Sequence, residues 1–139
     1  DQDVVVVGCD SMLDVDGTAV GKPVDAVQAK RRWQQDMAGR SAVLRTGHWL
    51  VRPATGEQVG AVASTTVWHG TPTEAELDAY IATGEPLRVA GAFTIDGLGG
   101  PFVDRIDGDP SNVVGLSLPL VRRLLGDLGI GWTDLWTVT

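Results

Sequence analysis

Gly8-Cys9-Asp10-Ser11 places a carboxylate just past the end of a β-branched run. Open α/β sheets bind ligands at that end of a strand, so Asp10 is either a site carboxylate or an aspartate that caps a turn. Further on, Gly21-Lys22-Pro23 holds a lysine between a flexible and a rigid residue at the foot of a helix. Its ammonium either meets a phosphate alongside helix amides or stands solvated in a turn. Gly39-Arg40-Ser41 and Thr46-Gly47 flank one strand, and a guanidinium with a hydroxyl suits a phosphate. Other chemistries lack their parts. Gly97-Leu98-Gly99-Gly100 is followed by no Lys-Ser or Lys-Thr and reads as a turn. His48 and His69 lack the spaced partners of a zinc site, and Ser11, Ser64 and Ser117 lack a nucleophile elbow.

The elements that position these residues follow from periodicity. Residues 3–8 read as a strand apolar on both faces, which predicts a place inside a parallel or mixed sheet. Pro23 and Asp25 open a helix whose stripe is Ala26, Ala29, Trp33 and Met37, with Gly39 placed to end it. Residues 43–46, 49–52 and 58–68 predict strands of an antiparallel meander, the last two joined by the turn Pro53-Ala54-Thr55-Gly56. Thr73-Glu74-Ala75-Glu76 has the spacing of a capping box, followed by the stripe Leu77, Tyr80, Ile81 and a stop at Gly84. Residues 87–112, rich in Gly and Asp, predict loops around a short strand at 102–106, and a binding site is expected among them. A last helix begins near Ser117 or Leu118, tolerates Pro119 in its first turn, and turns Leu120, Val121, Leu124, Leu125 and Leu128 inward before Gly129.

Composition bounds the partners. The chain has 139 residues, 43% of them hydrophobic, which suffices for one domain with a core. Its net charge of -7 argues against a nucleic-acid polymer as partner, which needs a continuous basic surface. Nine arginines and two lysines leave room for a small anion in a pocket. No apolar run approaches the roughly 20 residues of a membrane span. The single cysteine, Cys9, forms no internal disulfide and fits a reducing cytoplasm. The sequence starts at Asp1 rather than Met, directly before the first strand.

Taken in order, the blocks above together with Tyr80-Ile81-Ala82-Thr83-Gly84-Glu85-Pro86-Leu87, Ala90-Gly91-Ala92-Phe93, Asp96-Gly97-Leu98-Gly99 and Ser111-Asn112-Val113-Val114-Gly115-Leu116 resemble the Maf family of nucleotide pyrophosphatases. The resemblance runs from about Val4 to Gly129. It implies an α/β domain over residues 1–139, with a mixed twisted sheet and flanking helices. It also implies hydrolysis of a nucleoside triphosphate between its α and β phosphates with a divalent metal, Mg²⁺ or Mn²⁺. Asp10 then matches the general base and metal ligand, and Lys22 and Arg40 match groups that neutralise the leaving pyrophosphate. Phosphate contact by Thr46, Ser111 and Asn112 is a further carry-over. Ser11 and Asp96 stand at positions tied to base preference, where pyrimidine-type members have Thr and Gln and another branch has Glu in the second place. Asp96 as an acceptor suits a guanine edge, whereas an amide both donates and accepts.

Three departures accompany the match. Val89 and Ala42 stand where family members often carry a polar residue. The Ser-x-Ser-x-Arg-Arg phosphate loop of the family does not occur in this sequence, so an N-terminally incomplete domain is expected. The rival expectation is a catalytically inactive nucleotide-binding or scaffold module of the same fold. House-cleaning of unusual nucleotides, a link to septum formation and a homodimer are implied by the family alone.

Overall fold

A computed structural model describes residues 3–136. Five strands make one sheet in the order β2-β1-β3-β4-β5: β1 Val6–Val15, β2 Thr18–Val20, β3 Ser41–Arg52, β4 Glu57–His69 and β5 Val103–Asp107. Every pairing among them is antiparallel, which corrects the expected mixed sheet. The α/β class with flanking helices holds.

Burial alternates along β3. Ala42, Leu44, Thr46, His48 and Leu50 are buried, while Arg45 and Trp49 face outward. That period of two sends one face of the sheet into the core and turns the other away from it. Helices α1 Ala26–Arg32 and α2 Glu74–Ala82 pack their stripes, including Ala29, Leu77, Tyr80 and Ile81, on one half of the inner face around Leu13, Leu44 and Val67. The stripe of α1 runs on through Trp33 and Met37 in a π-helical turn, Trp33–Met37. A short α3, Pro110–Val114, leads into α4, Leu118–Asp127, whose leucines cover Leu50 on the other half.

Helix starts follow local rules. Asp25 accepts from the Gln28 amide at 2.8 Å, Thr73 and Glu76 form the expected capping box, and Ser117 caps α4 just before Leu118 and Pro119. Each satisfies amides that the first helical turn leaves without partners.

Two expectations about strands are corrected. The opening apolar run is not an interior strand: Val4, Val6 and Val7 are 47%, 55% and 41% exposed. No helix covers the face on which Val6, Met12, Trp49 and Val62 lie among the described residues. Nor is there a break near residue 47, because β3 is continuous over twelve residues and pairs with β4 along its whole length. Beyond Val15 the chain reverses through Asp16 and Gly17, both at positive φ (48° and 87°). This is the geometry of a tight type I′ hairpin, in which glycine meets no steric cost. It creates β2, a strand absent from the expectations above.

Candidate active site

Asp10 lies in the middle of β1, opposite Gly47 of β3, and not past the strand's end as its spacing suggested. Only Leu13, Asp14 and Val15 of β1 are paired with β2. Among the described residues the outer edge of β1 is therefore unpaired beside Asp10, and a cavity of about 460 Å³ runs along it. An open edge gives access to both faces of the strand, so Asp10 and Ser11, whose side chains alternate in direction, both line this cavity.

The hairpin explains the second group. Leu13 sits opposite Val20, so the chain leaving β2 runs back past Ser11 and Asp10 and delivers Gly21 and Lys22 to the same cavity. Arg32, buried in α1, donates to the Gly21 carbonyl at 2.7 Å and fixes the backbone beside Lys22. A carboxylate and an ammonium well separated in sequence are thus brought to one wall.

The opposite wall comes from the loop after α2. Arg88, Val89, Ala90, Phe93, Thr94 and Asp96 border the cavity. Trp33 holds this loop through its indole N–H, which donates to the Ala92 carbonyl at 2.6 Å. Glu85 accepts from the Thr94 hydroxyl and from the Leu98 amide, and the Thr94 amide donates to the Tyr80 hydroxyl at 3.0 Å. Residues 97–100 serve these bonds as a turn. Val113, Val114 and Gly115, at the end of α3, close the third side.

Asp10, Ser11, Lys22 and Asp96 therefore meet, and four other sequence candidates do not line the cavity. Arg40 precedes Ser41 at the far end of β3, whereas Asp10 pairs with Gly47. At the rise of a strand, that separates them by about 20 Å. Thr46 is fully buried and bonds Ser11 from below, hydroxyl to hydroxyl, at 2.8 Å. Ser111 donates its hydroxyl to the Asp109 carboxylate at 2.6 Å. Asn112 is fully buried and donates to the Leu44 carbonyl and the Thr65 hydroxyl at 3.2 and 3.1 Å.

These buried polar residues form a belt between the two apolar clusters. His48 donates from Nδ1 to the Thr46 carbonyl and accepts the Ser117 amide at Nε2, both at 2.9 Å. Such a pair of bonds fixes the neutral Nδ1–H tautomer. Ser117 in turn donates its hydroxyl to Asp109 at 2.6 Å. Burial pushes the Asp109 carboxyl up, but bonds from the Ser111 and Ser117 hydroxyls and from the Ser111 and Asn112 amides outweigh it and hold the pKa below its usual value. The belt thereby anchors α3, and with it the wall at residues 113–115.

Sequence reasoning missed Arg88 and Thr94, although the lining residues Val89, Ala90, Phe93 and Asp96 beside them stood among the positions that entered the resemblance. Their signal lay in the expected binding site within residues 87–112, and the Asp16-Gly17 dipeptide was the hairpin signal that would have joined Lys22 to Asp10.

Among the described residues no group of three or more His, Cys, Asp or Glu side chains clusters for a metal. Mg²⁺ commonly binds through one or two carboxylates plus substrate phosphates, and the uncommitted carboxylate of Asp10 on the cavity wall suits that mode. No helix among the described residues is long and apolar enough to cross a membrane.

Comparison with known proteins places the chain in a family. The sequence profile of the family described as Maf-like protein matches residues 1–128. A Streptomyces coelicolor protein named nucleoside triphosphate pyrophosphatase is 59% identical over 132 residues, covering 95% of this chain and 64% of its own length. Proteins of the same name from Salinispora tropica and Nocardia farcinica are 58% and 59% identical over 137 residues, with 99% and 96% of this chain and 60% and 64% of theirs covered. The chain thus spans a little under two thirds of the length of these curated relatives. With the profile matched over most of its length, the chain belongs to the Maf-like family.

Proposed function

We propose that this chain carries the catalytic cavity of a nucleoside triphosphate pyrophosphatase, which splits the bond between the α and β phosphates to give the monophosphate and pyrophosphate. One observation carries the reading: the β1–β2 hairpin sets Asp10 and Lys22 against a single cavity, in a family whose relatives bear that activity as their name.

The chemistry follows from the residue types. Asp10 is exposed beside Gly47 and makes no side-chain hydrogen bond among the described residues, so its oxygens are open to accept a proton. As general base it takes that proton from water attacking the α-phosphorus, the bridging P–O bond breaks, and pyrophosphate leaves with the electron pair. Lys22, likewise without an ion pair among the described residues, neutralises charge on the departing group. Asp10 would hold the divalent cation, Mg²⁺ or Mn²⁺, together with the substrate's phosphate oxygens. When bound, that ion shields phosphate charge and lowers the pKa of water. Ser11 and Asp96 border the same space and take the base edge, Asp96 as an acceptor for N–H donors such as those of guanine.

The purified chain, incubated with Mg²⁺ or Mn²⁺ and a panel of standard and modified nucleoside triphosphates, should release monophosphate and pyrophosphate in equal amounts. Asp10→Asn should lower that rate by about 10²–10⁴, the usual worth of a general base. Retention of the full rate in this variant would refute the assignment of Asp10. Nucleotide binding by the wild-type chain with no turnover would favour the inactive binding module instead.

A further inference from the structure

We propose that Arg88 is the guanidinium that meets the phosphate chain, in the place that the sequence suggested for Arg40. This rests on the pyrophosphatase reading and deepens it.

Four formally charged side chains line the cavity: Asp10, Asp96, Lys22 and Arg88. Together they sum to zero, in a chain whose net charge is -7. Without Arg88 the lining would be left with two carboxylates and one ammonium. A polyphosphate carries several negative charges, and a net negative wall inside an acidic protein would repel it. Arg88 is what keeps the cavity open to a polyanion.

Its own contacts point the same way. Among the described residues Arg88 makes no ion pair and no side-chain hydrogen bond, although arginines elsewhere in the chain are engaged. Arg45 pairs with Asp14, and Arg52 with Asp3. A planar fork of five donors left uncommitted at a cavity wall suits bidentate contact with phosphate oxygens.

The backbone beneath it is fixed. Arg88 closes the turn Glu85–Arg88, whose first residue accepts from Thr94 and Leu98. Gly84, at φ 77°, starts that turn, and Arg88 Nη2 lies 3.8 Å from the position a Cβ would take there. The backbone that carries Arg88 is therefore braced, while its guanidinium is left uncommitted. Arg40, about 20 Å along β3 from Asp10 by strand rise, has no comparable access.

Calorimetric titration tests this with three probes: an α,β-methylene nucleoside triphosphate that cannot be cleaved, the monophosphate of the same base, and inorganic pyrophosphate. Arg88→Ala should weaken the triphosphate analogue and pyrophosphate by about tenfold to a hundredfold, the worth of one or two charge-assisted hydrogen bonds, and the monophosphate far less. Arg88→Lys should recover part of the loss, because it keeps the charge and loses the fork. An unchanged affinity in Arg88→Ala would overturn the proposal, as would equal losses for triphosphate and monophosphate, or the loss appearing in Arg40→Ala instead. Failure of the wild-type chain to bind the triphosphate analogue at all would overturn the pyrophosphatase reading along with it.

Discussion

Ser11 and Thr46 face each other across β1 and β3 with their hydroxyl oxygens 2.8 Å apart, the first bordering the cavity and the second fully buried beneath it. Thr46 also offers its carbonyl to His48. A site residue is thus tied to the buried polar belt through one threonine. Thr46→Val keeps the shape and removes the hydroxyl, leaving Ser11 without this partner. Chemical denaturation should show a loss of about 1 kcal/mol. Ser11 also loses its fixed orientation, so the KM for the nucleotide should rise with kcat little changed. A variant as stable as the parent would show that the bond contributes nothing.

His69 governs the pH dependence of stability near neutrality. Its ring is buried, with edge-on contacts to Trp33 and Phe93 at 5.5 and 5.0 Å, and only Nδ1 is bonded, donating to the Arg40 carbonyl. Nε2 is buried with no partner among the described residues. Burial depresses its pKa below the ordinary 6.5, against opposing pulls from the Arg40 carbonyl and Asp104. The unfolded chain therefore binds the proton more readily. The stability associated with neutral His69 is full above pH 6.5 and falls as the pH drops through the folded value. Melting temperatures between pH 8 and pH 5 should decline on the acid side, and His69→Gln should flatten that slope. An unaltered slope would assign it to other groups.

A second acid limb belongs to Asp109, whose carboxyl is held below its usual value of 3.8. The stability it contributes is full above that value and is lost as the pH falls through the lower, folded one. Asp109→Asn removes the charged acceptor of the Ser111 and Ser117 hydroxyls. Acid unfolding followed by circular dichroism should begin at higher pH in the variant, and an identical acid midpoint would contradict this.

Gly91 lies on the loop between Arg88 and Asp96 at φ 75°, and a Cβ there would stand 2.8 Å from Leu13 Cδ2. Strain and overlap act together in Gly91→Ala, and a left-handed non-glycine residue alone costs about 1–3 kcal/mol. The substitution should lower the melting temperature and, by shifting the loop that carries Arg88, weaken nucleotide binding as well. A stable variant with normal affinity would show that the loop adjusts freely.

Local signals were legible in the sequence, and those that depend on strand partners were not. Thr73 with Glu76, Asp25 and Ser117 cap where spacing placed them, because capping needs only the next few residues. The run at residues 3–8 looked interior because apolar composition does not reveal whether anything covers the face. Arg40 and Thr46 looked like neighbours around a short strand. An unbroken β3 separates Arg40 from the cavity, and the alternation of β3 turns Thr46 inward. Ser111 and Asn112 offered the right groups for a phosphate, but their partners, Asp109, Leu44 and Thr65, are specified by the fold.

The Asp16-Gly17 turn also bears on the order of events as the chain folds. Asp10 and Lys22 stand on the arms of one tight hairpin, a unit that forms in about 1–10 μs when isolated. Arg88 and Asp96 reach the same cavity from much farther along the chain, and contacts at long sequence separation carry the larger closure entropy. The acid and the ammonium are thus joined by a short stretch of chain that Arg32 braces at Gly21, while the far wall depends on closures of much longer range. Destabilising changes in the loop from Glu85 to Asp96 should therefore open the cavity before they separate Asp10 from Lys22.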